Sequence, residues 1–178
     1  VTGHLIHHPQ CRSTIRKQPR DTEGGDMSDK AIERLVGRKI KRVYMSTAYL
    51  KFETDQGDLA FAVEGDCCSR SYFHDFIGVE KLTANGPVIS AASVSLTEDD
   101  PRSKTDNSHD YEEIECYGYE IVTEDPQFGP VTAVFSFRNS SNGYYGGWMT
   151  SVESVPVGLP EIVKDVLSTD DLREVIDA

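Results

Sequence analysis

Cys67 and Cys68 stand side by side in the run Glu64-Gly65-Asp66-Cys67-Cys68-Ser69-Arg70-Ser71. A thiolate is both a strong nucleophile and a soft metal ligand, so this pair is the chemically unusual spot of the chain. A helix opening at Ser69 would set the thiols against unpaired backbone N–H groups and the positive end of the helix dipole, which lower a thiol pKa. His74, about one and a half helical turns further on, would supply a base, with Asp66 and Asp75 to orient it. The same pair, with Cys116 and His74, also makes a formally complete set of four zinc ligands. Two facts weigh against both chemistries. Free cysteine is among the most buried residue types and readily packs a corner of a fold. Adjacent cysteines are expected to point in different directions, whereas structural zinc draws on pairs two to four residues apart. The preferred reading is inert packing at a strand-to-helix corner, with no catalytic residue and no cofactor. Zinc or thiol chemistry at Cys67, Cys68, Cys116 and His74 is the alternative.

Two further groups offer binding rather than reaction. Asn142-Gly143-Tyr144-Tyr145-Gly146-Gly147-Trp148 combines glycines that permit close backbone approach with flat amphipathic rings, a composition suited to a protein contact. It has neither the strand-to-helix context nor the lysine of a phosphate-binding loop. Glu98, Asp99 and Asp100, with Asp106, Asp110, Glu112, Glu113 and Glu115 beyond, form an acidic stretch. Its spacing does not match the regular calcium loop. The reading is a solvated acidic surface, with imitation of a phosphate backbone as the sharper version. Tyr144, Tyr145, Trp148, Glu98, Asp99 and Asp100 are therefore the candidate contact residues. His4, His7, His8 and His109 form neither a metal spacing nor a catalytic pair and receive no role.

The elements that must position these residues follow from periodicity. Residues 1–26 carry no hydrophobic period and are expected to be a disordered extension, with Met27 a plausible start. Ser28 or Asp29 would cap a helix bearing Ile32, Leu35 and Val36, stopped by Gly37. Val43 and Met45, then Leu50, Phe52 and Thr54, then Leu59, Phe61 and Val63 alternate with period two. These three strands are joined by linkers too short for parallel crossovers, so they form an antiparallel meander. Tyr72, Phe73, Phe76 and Ile77 recur at helical spacing, predicting a short helix after the third strand that ends at Gly78. A strand at residues 88–96 presents Ala92, Val94 and Leu96 on one side. A longer one over 111–123 points Cys116 inward and is reset by a bulge beyond Gly118. Val131, Ala133, Phe135 and Phe137 alternate cleanly, and Asn139 to Gly143 turn them into a hairpin with a strand around Trp148 to Val152. Ile162, Val163, Val166 and Leu167, then Leu172, Val175 and Ile176, predict two closing helices, the second capped by Ser168 and Asp171. The expected fold is α+β. It has a single antiparallel sheet of about six or seven strands in a domain over residues 27–155, with flanking helices and a helical tail over 156–178.

Bulk properties narrow the function classes. The 178 residues include 18 basic and 30 acidic side chains, a net charge of −12 that repels nucleic-acid backbone and anionic membrane. No stretch approaches the ~20 apolar residues of a membrane span, and no apolar block of a secretory signal opens the chain. The four cysteines lack the spacing of a disulfide framework, so reduced thiols and an intracellular setting are expected.

Gly65-Asp66-Cys67-Cys68-Ser69 and Asn142-Gly143-Tyr144-Tyr145-Gly146-Gly147-Trp148, with the strand spacing between them, resemble the two signatures of a small domain family of unknown function encoded by tailed bacteriophages. The resemblance spans roughly residues 34–153. It implies a phage or prophage setting and action in the bacterial cytoplasm, and it assigns no reaction, cofactor or catalytic residue. The expected function is a non-enzymatic accessory protein that binds a host or phage protein.

Overall fold

A computed structural model describes residues 30–96, 100, 102 and 113–176, with side chains to residue 172. The expected disorder over 1–26, the start at Met27, the Ser28 or Asp29 cap, His109 and the acidic residues Glu98, Asp99, Asp106, Asp110 and Glu112 all lie outside the described residues. After a helical turn α1 (residues 30–33) come β1 (Ile40–Met45), β2 (Tyr49–Thr54), β3 (Leu59–Gly65), β4 (Arg70–Ile77) and helix α2 (Val79–Ala84). Then follow β5 (Val88–Val94), β6 (Glu113–Asp125), β7 (Gly129–Ser141), β8 (Gly147–Val152), β9 (Glu161–Ile162) and helix α3 (Thr169–Ile176).

The architecture is mostly β, and the expected single sheet is instead two antiparallel sheets. One has five strands in the order β8-β3-β2-β1-β9 and the other four in the order β4-β7-β6-β5. The β1–β2–β3 meander forms as its alternation predicts, with Val43, Met45, Leu50, Phe52, Thr54, Leu59 and Phe61 all buried. The sheets face one another across phenylalanines. Phe52 of the first lies 6.2 Å from Phe76 and 6.3 Å from Phe135 of the second, centroid to centroid. Phe135 also stacks on Phe76 at 5.4 Å and on Tyr119 at 5.1 Å, while Tyr117 stacks on its cross-strand partner Phe137 at 4.6 Å. Each buried ring contributes roughly 1.5–3 kcal/mol by leaving water, so this cluster is the principal force between the layers.

Several expectations are corrected, each by a competing constraint. The helix predicted from Tyr72, Phe73, Phe76 and Ile77 is strand β4. A bulge at His74 breaks its register with β7 between Phe73↔Phe137 and Asp75↔Ser136. The extra residue puts Phe73 and Phe76, three apart, on the same buried face, which reproduces a helical interval inside a strand. Gly78 is not a stop. It holds the left-handed conformation at φ 90° immediately before α2. The carboxylate of the distant Asp165 caps that helix by accepting from Gly78 N at 2.8 Å and Val79 N at 3.2 Å.

The predicted hairpin between β7 and β8 does not form, because β4 and β6 occupy both edges of β7 and β8 pairs with β3 in the other sheet. The hairpin partner of β7 is β6, through thirteen consecutive register pairs from Glu113↔Ser141 to Asp125↔Gly129. Its turn is held by Asp125 Oδ1, which accepts from Gln127 N and Phe128 N. The bulge predicted beyond Gly118 is therefore absent against β7. The neighbouring irregularity lies in β5, between Val88 and Ser90, and turns Val88 and Ala91 inward.

The first closing helix is also absent. Ile162 pairs with Val43 in β9, and Val166 bridges Phe76. A spacing of four serves a strand as well as a helix, and both residues are buried while Val163 and Leu167 are exposed. Helix α3 forms as predicted, with Asp171 Oδ2 accepting from Leu167 N and Ser168 N at 2.8 and 3.2 Å. No helix among the described residues is long and apolar enough to cross a membrane.

Because Phe135 touches rings from both sheets, Phe135→Ala is expected to lower unfolding free energy by about 3–5 kcal/mol, read as a shift in urea midpoint at unchanged m-value.

Candidate functional site

The chain passes between sheets at β3→β4 and again at β7→β8, and these two crossings carry the two unusual segments of the sequence. Between β3 and β4, Asp66 turns the chain. Its backbone N donates to Gly146 O at 3.1 Å, and its Oδ2 accepts from Gly146 N at 3.0 Å. Ser69 closes the turn, donating from N to Asp66 O at 2.9 Å and from Oγ to Gly146 O at 3.1 Å. Buried Asn139, near the end of β7, donates from Nδ2 to Tyr145 O at 2.8 Å and is joined to Ser71 Oγ at 3.0 Å. All of these bonds but the Ser71–Asn139 side-chain pair satisfy a backbone group that leaving a sheet would otherwise orphan.

The glycines here answer to packing. Gly65 and Gly147 are directly paired across β3 and β8. A Cβ on Gly147 would collide with Ser71 Oγ and come within 2.8 Å of Asn139 Cβ, and one on Gly65 would meet Ser69 Oγ. Gly146 faces open space. Bare backbone at the crossing is what lets the two segments lie against each other.

The junction projects two groups outward. Cys67 and Cys68 are exposed thiols at its tip, with Sγ atoms 3.6 Å apart. No helix follows them, so the expected helix N-terminus is absent at the thiols. The expected inert packing beneath a corner is likewise not what the turn shows. Tyr144 is 89% exposed and Trp148 39%, while Tyr145 is half-buried.

The outer face of the four-stranded sheet holds a second group, which the sequence reading did not single out as a set. Asp75 is 1% exposed, and its Oδ1 accepts from Ser136 Oγ at 2.9 Å. Its Oδ2 and the Nε of buried Arg138 have no hydrogen-bond partner among the described residues. Arg138 donates to Arg102 O at 2.9 Å, and Arg102 forks onto Asp100 through Nε, at 2.8 Å, and Nη2. His74, thrust out by the bulge, shares a 2.8 Å hydrogen bond through Nδ1 with Thr169 Oγ1. His74, Asp75, Ile77, Asp100, Arg102 and Leu167 line a cleft of ≈340 Å³. Burial pushes the Asp75 carboxyl above its ordinary value, against the pull of Ser136 and the two arginines. The Arg102 fork holds Asp100 below its own.

Cys116 belongs to this outer face and does not point into the core. It pairs with Arg138 in the β6–β7 register, and Tyr117, Tyr119 and Ile121 take the inward positions. Burial raises its thiol pKa, with Arg138 opposing. The four proposed zinc ligands thus divide between the junction and the outer face. Among the described residues, no group of three or more His, Cys, Asp or Glu side chains could hold a metal ion. Asp100, expected in a solvated acidic surface, is instead engaged with Arg102. The polar residues alternating through β7 were visible in the sequence, but period two alone marks them only as facing away from the core.

Residues 33–150, which contain both junction segments and the Asp75–Ser136–Arg138 group, match the model of a domain of unknown function, DUF7448. The chain belongs to the DUF7448 family. No curated protein and no solved structure matches it. The DUF7448 match ends inside β8, and β9 against β1 and α3 against β4 lie outside the matched region.

Two outcomes are expected from this geometry. Gly147→Ala is expected to cost about 1–3 kcal/mol of stability by overpacking, and Gly146→Ala less than about 0.5 kcal/mol, both read by chemical denaturation. For Asp75, the native state holds its proton to higher pH than the unfolded chain. Its contribution to stability is therefore most favourable below the unfolded carboxylate pKa and declines as pH rises through the raised native value. Asp75→Asn is expected to gain thermal stability over the parent at neutral pH, with the gain fading toward pH 4. A constant difference across that range would show that the ionisation of Asp75 is not responsible.

Proposed function

We propose that this DUF7448 protein is a non-enzymatic accessory protein of a phage or prophage, acting in the bacterial cytoplasm by binding a host or phage protein through the sheet junction. The observation that carries the reading is the presentation of Tyr144. A tyrosine left 89% exposed is supported by a loop whose backbone is tied to Asp66, Ser69 and Asn139. Exposed aromatics on a rigid support bind with little ordering cost, and tyrosine and tryptophan dominate the energetic centres of protein interfaces. Trp148, four residues on, lies in β8 at an edge of the five-stranded sheet and supplies a second ring. The net charge of −12 favours a partner with a basic face and opposes direct binding to nucleic acid.

The test compares the parent protein with Tyr144→Ala/Trp148→Ala in crosslinking from phage-infected and uninfected cells, with partners identified by mass spectrometry. Loss of a specific partner at unchanged melting temperature is expected, corresponding to about 2 kcal/mol or roughly 30-fold in Kd. Equal recovery of the same proteins by both forms would remove the junction as the contact surface.

A further inference from the structure

We propose that Cys67 and Cys68 form a two-sulfur clamp for a trivalent metalloid centre, a binding site independent of the protein contact at Tyr144. The argument is geometric. The two Sγ atoms stand 3.6 Å apart and both thiols are exposed, so an electrophile reaches them together. A centre bonded to both sulfurs at about 2.3 Å, the length of a zinc–thiolate bond, would subtend an S–M–S angle of about 103° at that separation. That is the bent arrangement of a pyramidal three-coordinate metalloid carrying two thiolates and one further group. A linear two-coordinate ion would need the sulfurs about 4.6 Å apart. Tetrahedral zinc would need two more protein ligands, and no such group exists among the described residues.

Direct closure to a disulfide is the competing fate of neighbouring thiols, and the backbone opposes it. Disulfides ordinarily join Cα atoms about 4.4–6.8 Å apart, whereas neighbours across a trans peptide are held at about 3.8 Å. The Cys67–Cys68 peptide is trans. A bridging centre takes the sulfurs at the separation they already have. The flanking residues hold the turn in place, with Asp66 and Ser69 both tied to Gly146, so little conformational freedom remains to be lost on binding. Cys116 does not compete, being half-buried on the outer face opposite Arg138.

The reaction balances without an oxidant. With phenylarsine oxide as probe, two S–H bonds and the As=O bond break and two As–S bonds form. The two protons leave with the oxygen as one water, and arsenic remains trivalent.

The experiment titrates phenylarsine oxide into the full chain carrying Cys11→Ser, followed by native mass spectrometry. One adduct per chain is expected, retained in Cys116→Ser and weakened by roughly 10²-fold or more in Cys67→Ser and in Cys68→Ser, because each leaves a single bond in place of a chelate. Ethanedithiol should strip the adduct, while an equal concentration of 2-mercaptoethanol should not. Serine at these exposed positions leaves the core untouched, and unchanged melting curves will confirm it. An adduct that survives either single substitution, or that a monothiol removes as readily as a dithiol, would overturn the clamp.

Discussion

The junction between the two sheets depends on the reciprocal pair of hydrogen bonds between Asp66 and Gly146. Two sheets packed face to face require the chain to cross between them, and each crossing strips backbone groups of their ladder partners. Here the two crossings lie against each other, so the orphaned groups of one satisfy those of the other. The Gly65–Gly147 pairing permits the approach, and Ser69, Ser71 and Asn139 complete it. The same junction carries the exposed Tyr144 and the two exposed thiols.

A second constraint is the phase of β4. The bulge at His74 lets Phe73 and Phe76 both reach the inter-sheet core, and it also sends Asp75 to the opposite face beside Ser136 and Arg138. One inserted residue therefore serves the hydrophobic core and builds a buried polar group behind the sheet. That polar group carries a cost, because Asp75 Oδ2 and Arg138 Nε find no partner among the described residues and burial resists the carboxylate charge. Arg102, whose carbonyl accepts from Arg138 and whose guanidinium forks onto Asp100, lies against this face.

Legibility from sequence varied with the kind of signal. The β1–β2–β3 meander could be read because half-buried strands alternate and their connections are short. The capped helix α3 could be read because a capping carboxylate acts within one turn. The two segments that form the junction stood out by composition, yet their contact across about eighty residues could not be seen. The two misread helices share a cause. Phe73 and Phe76 at an interval of three, and Ile162 and Val166 at an interval of four, fit a helix as well as they fit a bulged or extended strand. Only their neighbours in space distinguish the two.

The sequence by itself therefore determined a charged, strand-rich chain with a phenylalanine core, a capped terminal helix and two segments of unusual composition. These are consequences of local propensity and of which side chains avoid water. The tertiary structure alone decided that there are two sheets and not one, that β8 leaves β7 for β3, that Cys116 faces away from the core, and that Cys67 and Cys68 stand in the open. Such outcomes depend on which strand edges remain unpaired once the strands assemble, a competition among distant segments that no local pattern encodes.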